Sequence, residues 1–220
     1  MVIKGVESVK KNKTKQKVMD AACRLFYAKG YSGTSVRDIA KKASVNVSLI
    51  NYYFSSKQGL LEAAVIQYYE AYLEQLEILV NDSEHMMPIN RLKKLIEVII
   101  QYKHENYQFS CFIQRELTMD SVFVREMMVT YLAKEDHIIS KIFNEAIVET
   151  SHQTIDRKFL LLQLRGLLST PFTVSNEWKS KLVTWDDNLF VSKYVKSLHD
   201  WIDYVTETIS HSSTNRYPIA

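Results

Sequence analysis

The run from Thr34 to Leu61 limits what this chain can fold into more than any other stretch. It has room for two short helices and one tight turn. Thr34 or Ser35 can cap the first helix, and Asp38, three residues after Ser35, can close a capping box. Val36, Ile39, Ala40 and Ala43 then repeat at helical spacing. Ser44, Val45 and Asn46 make the turn, and a second helix is predicted over 47–54. Leu49, Ile50 and Tyr53 are expected to face inward, leaving Val47, Ser48, Asn51 and Tyr52 outside.

Two helices crossing at roughly 90–120° form a helix-turn-helix, whose second helix fits the major groove of DNA. The outward set has the chemistry for that role. Serine and asparagine hydrogen-bond base edges, and valine touches a thymine methyl. The Tyr52 hydroxyl can reach a phosphate, as can Thr34 from a helix N-terminus. Lys57 opens the next helix close to the DNA backbone. Arg37 and Tyr53 complete the candidate DNA-binding set of Thr34, Ser35, Arg37, Val47, Ser48, Asn51, Tyr52, Tyr53 and Lys57. A plain helical hairpin with a polar face has the same spacing, so charge is the useful discriminator. Residues 1–57 hold twelve Lys and Arg against three acids, a net +9, while the rest of the chain nets −6. The positive charge lies with the helix-turn-helix, which is the electrostatic footprint of a nucleic-acid module.

The pattern of Gly30, Thr34, Ile39-Ala40, Ala43, Val45, Ile50, Tyr52, Phe54, Lys57 and Leu60-Leu61 resembles the DNA-binding domain of TetR-type regulators. The resemblance implies an all-α fold, with an N-terminal three-helix helix-turn-helix domain and a C-terminal helical regulatory and dimerisation domain. It also implies double-stranded DNA as partner, a long fourth helix that carries signals, and a homodimer built on the last two helices. Two positions depart from the pattern. Ser44 stands where the family usually has glycine, and Asn51 stands where it usually has a second tyrosine.

The remainder reads as helix as well. Five Gly and three Pro in 220 residues are few, and no alternating β-branched runs occur. The expected order is a basic flexible arm over 1–13, a DNA-binding domain over 14–57, a regulatory and dimerisation domain over 58–210 and a flexible tail over 211–220. Helices are predicted over 14–29, 57–81, 89–104, 109–118, about 120–150, 153–169 and 188–210, with an irregular link over 170–187 that holds Pro171. Their apolar stripes supply a core. Phe159, Leu160, Leu164, Leu167 and Leu168 on the penultimate helix are expected to meet a second copy in the dimer the resemblance implies. So are Tyr194, Leu198, Trp201, Ile202 and Val205 on the last. Two recognition helices about 34 Å apart would then read a near-palindrome. Tyr102, Phe112 and Tyr131 can line an effector pocket, although residues at this spacing also serve as simple core.

Several classes of function find no support. No Gly-rich phosphate loop, G-x-S-x-G or H-E-x-x-H occurs, so no catalytic site and no cofactor are expected. Six scattered histidines lack a Cys or His three or four residues away, and no metal site is expected. No apolar run reaches the ~20 residues of a membrane span, and the N-terminus carries no apolar signal segment. A cytoplasmic protein associated with the nucleoid is expected, with Cys23 and Cys111 as buried thiols.

A narrower resemblance rests on Gly33-Thr-Ser-Val-Arg37, Val45-Asn-Val47, Tyr52-Tyr-Phe54, Arg115-Glu116, Asp120-Ser121, Arg125-Glu126 and Thr130-Tyr-Leu132. These residues are similar to a branch of TetR-type regulators that acts on cell division in sporulating bacilli. That branch implies palindromic chromosomal sites and FtsZ, the tubulin-like division protein, as a partner. Arg115, Glu116 and Arg125 are then the expected partner surface, as charged residues the core does not need. Two other readings stay open: a ligand-responsive repressor, and a nucleoid-binding protein without a switch.

Overall fold

A chain with few glycines and prolines and repeated apolar stripes three and four residues apart buries those stripes as helices. The computed structural model describes residues 2–118, 122–148, 156–174 and 187–211, and every element in them is helical. The helices are α1 Val2–Lys29, α2 Val36–Ala43, α3 Val47–Phe54, α4 Lys57–Asp82, α5 Pro88–Glu105, α6 Tyr107–Thr118, α7 Val122–Val148, α8 Arg157–Thr173 and α9 Asp187–His211. The all-α expectation holds. The two helices of the motif, α2 and α3, have the predicted bounds of turn and second helix. Asp120, Ser121, Trp178, Trp185 and the tail after His211 lie outside the described residues, as does the side chain of Arg125.

Two compact units divide the chain. The first holds Met1–Ala71 and Asn106–Met128, and the second holds Tyr72–Glu105 and Val129–Ala220. In the first unit, Val18, Ala22 and Phe26 of α1 are fully buried with Ile39, Ile50, Leu60 and Leu61. The aromatic ring of Phe26 stacks on Phe112 of α6 at 5.5 Å, and Phe112 stacks on Phe109 at 5.6 Å. Tyr68 and Ser110 share a buried hydroxyl hydrogen bond of 2.8 Å. Thus α6, distant in sequence, belongs to the body that carries the helix-turn-helix.

The second unit has a different interior. Tyr72 of α4 and Tyr102 of α5 lie ring against ring at 5.1 Å. Beside them Lys103 donates to Glu135 of α7 at 3.0 Å, and Tyr72 donates to the same carboxylate oxygen at 2.7 Å. Burial pushes the Glu135 carboxyl up, but Lys103 and the Tyr72 hydroxyl outweigh it, so its pKa is lowered. Tyr72, Tyr102 and Lys103 are all buried, so aromatic rings and an ion pair fill this interior. Of the expected effector-pocket residues, Tyr102 lies here with Tyr131 half-exposed, whereas Phe112 is in the core of the first unit.

Three expectations need correction. The 1–13 segment was expected as an arm, but α1 begins at Val2; a lysine-rich stretch without proline extends a helix readily. The irregular link was expected from residue 170, but α8 runs through Pro171 to Thr173. Proline lacks the N–H that would bond to Leu167 four residues back. The Tyr194 hydroxyl of α9 supplies a donor to that carbonyl at 2.7 Å. Finally, Leu160, Leu164, Leu168, Leu198, Ile202 and Val205 were expected at a dimer interface, yet all are buried within the protomer. Leu167, Tyr194 and Trp201 are half-buried, and Phe159 alone of that set is exposed, at 63%. Each of these helices has apolar residues on more than one side, and the spacing does not say which side turns inward.

Candidate DNA interface

Local chemistry builds the helix-turn-helix. The Ser35 hydroxyl accepts from the Asp38 N–H at 3.1 Å, and Asp38 accepts from the Ser35 N–H at 3.2 Å, which completes the expected capping box. The bonds from Ser35 hold the Asp38 carboxyl below the usual carboxylate range, with Lys29 adding to the effect. The turn keeps its geometry without glycine. Ser44 adopts φ 54°, ψ 48°, the left-handed region, while its N–H and that of Val45 return to carbonyls of α2. Asn46 then caps α3 by accepting from the Ser48 N–H at 2.9 Å. Ser55, at φ 63°, closes α3 at the other end.

Ile50 and Phe54, four residues apart, are the buried side of α3. Opposite them Ser48, Asn51 and Tyr52 are exposed, Tyr52 at 69%. Leu49 was expected inside but is 37% exposed. It lies three residues from Tyr52 and one from Ile50, so the helical wheel turns it away once Ile50 and Phe54 fix the core. Val47 and Tyr53 are half-buried, with the Tyr52 and Tyr53 rings 5.1 Å apart. The outer face of α3 is therefore Ser48, Leu49, Asn51 and Tyr52: two hydrogen-bonding groups, a phenol and an apolar surface. Ser35 is exposed at the start of α2, and Arg37, Lys41 and Lys42 are exposed along it, as charges available to phosphates. The expected set omitted the two lysines, although their position in the motif was readable.

Two expected phosphate contacts are placed differently. Thr34 is 1% exposed, and its hydroxyl donates to the Gly30 and Leu25 carbonyls at 2.8 and 3.2 Å. It is an internal brace for the loop into α2. Lys57 is half-buried; its ammonium donates to the Tyr31 and Thr34 carbonyls, each at 2.9 Å, and lies 4.2 Å from the Tyr31 ring centre. Arg115, expected to be exposed on a partner surface, is half-buried. Its guanidinium donates to the Phe26 carbonyl at 2.7 Å and the Tyr27 carbonyl at 3.0 Å. Glu116, also half-buried, follows it on α6. Sequence spacing held no signal for these three roles, because each partner is a main-chain carbonyl.

Residues 18–64, which span α2, α3 and their brace, match the family described as bacterial regulatory proteins, tetR family. Along 204 residues the chain is 36% identical to the probable HTH-type transcriptional regulator YttP of Bacillus subtilis, covering 92% of this chain and 98% of that protein. The chain belongs to the TetR family. Staphylococcus aureus IcaR, a negative transcriptional regulator of the biofilm operon icaADBC, is 26% identical over 177 residues, 76% of this chain and 91% of its own. Among solved structures, the TetR family transcriptional regulator PfmR of Thermus thermophilus superposes with a TM-score of 0.67 at 18% identity, covering 84% of this chain and 96% of its own. The hemolysin II transcriptional regulator HlyIIR gives 0.61 at 22%, covering 85% and 97%. The fold is thus that of TetR-type proteins, and the chain is a DNA-binding transcriptional regulator of that family.

Proposed function

We propose that this regulator binds palindromic chromosomal sites as a homodimer and acts on cell division during sporulation, in the manner of RefZ, with FtsZ as its protein partner. Recognition falls to the outer face of α3, with Arg37, Lys41 and Lys42 on flanking phosphates. The dimer forms through α8 and α9, on their outward sides, where Phe159, Leu162, Leu189 and Tyr204 are exposed. By function the chain divides at residues 57–58, with DNA reading before and assembly and regulation after, although the compact unit that carries the helix-turn-helix also takes in α4 as far as Ala71 and α6. The observation that supports a protein partner over a small effector is the packing of Tyr72, Tyr102 and the Lys103–Glu135 pair against one another in the core of the second unit, where an effector pocket lined by Tyr102 was expected. With Arg115 bound inward, the partner surface on α6 centres on Glu116, with Arg125 following it in sequence.

A map of chromosomal binding sites in growing and sporulating cells tests this reading. A few palindromes clustered near the replication origin, away from promoters, are the expected result. Replacement of Glu116 by alanine should then alter division while leaving those sites occupied; unchanged division would sink the partner assignment.

One observation favours a second reading, a ligand-responsive repressor. In the second unit a cleft of about 780 Å³ opens between α4 and α7, lined by Glu77, Val80, Val129, Ala133, His137 and Ile138 among others. Such a mainly apolar cleft with a few polar groups suits a small molecule. A single strong site at the promoter of a transporter or enzyme gene would favour that reading over the first.

A further inference from the structure

An α-helix ends with carbonyls that have no partner inside it, and something must satisfy them. At the end of α1 and in the loop after it, the turn at Gly30 and three side chains do so. Gly30 turns into the left-handed region at φ 73° and returns its N–H to the Phe26 carbonyl at 2.9 Å. Thr34 braces Leu25 and Gly30, and Lys57 at the start of α4 holds the Tyr31 and Thr34 carbonyls. The third is Arg115, which reaches from α6 to Phe26 and Tyr27 with two separate nitrogens. Its guanidinium carbon lies 5.9 Å from the Phe112 ring centre, and that ring stacks on Phe26 itself. The loop from this junction leads directly to Ser35, the cap of α2. The pose of α2 and α3 is therefore built on a helix end that α6 helps to hold.

We propose that Arg115 is a positioning residue for DNA recognition, fixing the carbonyl end of α1 from α6 and through it the pose of the helix-turn-helix. The inference rests on the DNA-binding role but adds a residue outside the helix-turn-helix. The planar fork suits the task, because two neighbouring carbonyls accept from one rigid group. A cation at a helix C-terminus is favoured by the helix dipole as well. Since Arg115 acts through main-chain carbonyls, it adds no phosphate contact of its own. Its loss should weaken specific docking and leave the charge-driven, sequence-independent part of binding in place.

The test compares full-length wild-type protein with Arg115→Ala and Arg115→Lys on a duplex selected by the wild type from a random pool, and on an unrelated duplex. Stoichiometric titration fixes the active fraction, so misfolded protein is not counted as weak binding. Arg115→Ala should bind the selected duplex on the order of tenfold more weakly, since two charge-assisted bonds are lost. Its affinity for the unrelated duplex and the slope of log K against log salt should match wild type. Lysine should restore part of the specific affinity. Should Arg115→Ala fail to fold, Arg115→Gln keeps much of the stem and a single amide donor group and carries the same comparison. Undiminished specific affinity in the folded variant overturns the proposal. So does a salt slope lower by about one, which marks a direct phosphate contact. If wild type selects no duplex, the DNA-binding role itself fails, which is a separate result.

Discussion

The two units use their cations in opposite ways. In the second, lysines and arginines meet carboxylates: Arg91 with Glu145, Lys93 with Asp203, Lys103 with Glu135, Arg165 with Asp136. In the first, no ion pair forms among the described residues; Lys57 and Arg115 are bound by main-chain carbonyls instead. The difference matters at a distance. A carboxylate cancels its partner's charge, whereas a carbonyl is a neutral dipole and leaves the positive charge intact. In the unit that carries the helix-turn-helix, Lys57 and Arg115 therefore brace the fold without giving up their positive charge, and a positive field of this kind steers approach to DNA. The other unit, with no phosphates to attract, uses charge internally.

The largest effect expected from this contrast is in the second unit. Glu135→Gln leaves Lys103 buried without its counter-charge and should cost about 3–5 kcal/mol in denaturant unfolding. The double replacement Lys103→Met with Glu135→Leu should recover most of that loss, and failure to recover would mean the pair also supports packing. The same pair sets a pH response. Glu135 has a lowered folded pKa. Its contribution is present above the unfolded carboxylate pKa and is lost as pH falls through the folded value. Unfolding should therefore become easier in acid, and Glu135→Gln should flatten that dependence.

Next comes the DNA face. Asn51→Ala should cost about 1–3 kcal/mol of discrimination on a selected duplex, measured against single-base variants. Lys41→Gln should instead lower the salt slope by about one on any sequence. Lys196→Gln is the control from the other unit: Lys196 is paired with Asp200, and the slope should not change. A fall there would break the contrast between the two units.

Two smaller effects concern the backbone. Tyr194→Phe removes the donor to Leu167 beside Pro171 and should destabilise the protein by about 1–2 kcal/mol, read by denaturant unfolding. Ser44→Gly relieves a left-handed serine, whose strain is about 1 kcal/mol, and should stabilise by somewhat less because glycine also loosens the unfolded chain.

The helix-turn-helix was legible in sequence because its determinants are local. The Ser35–Asp38 box, the turn at Ser44 and the α3 bounds depend on residues within a few positions of each other. Even the exposure of Leu49 follows from Ile50 and Phe54. What was not legible depends on distant partners. Thr34, Lys57 and Arg115 carry charge or hydroxyls that suit phosphates or a partner protein, and only the fold shows them turned to carbonyls. The inward faces of α8 and α9 were hidden for the same reason, and Pro171 read as a helix end because its remedy stands 23 residues later at Tyr194.

That remedy carries a timetable. On the ribosome, Pro171 is made before Tyr194, so the last turn of α8 is synthesised without the hydroxyl that completes its hydrogen bonding. The Leu167 carbonyl gains that donor only when α9 has emerged and docked. A nascent chain halted between the two should leave that turn frayed, and the finished chain should lock both helices in one late step.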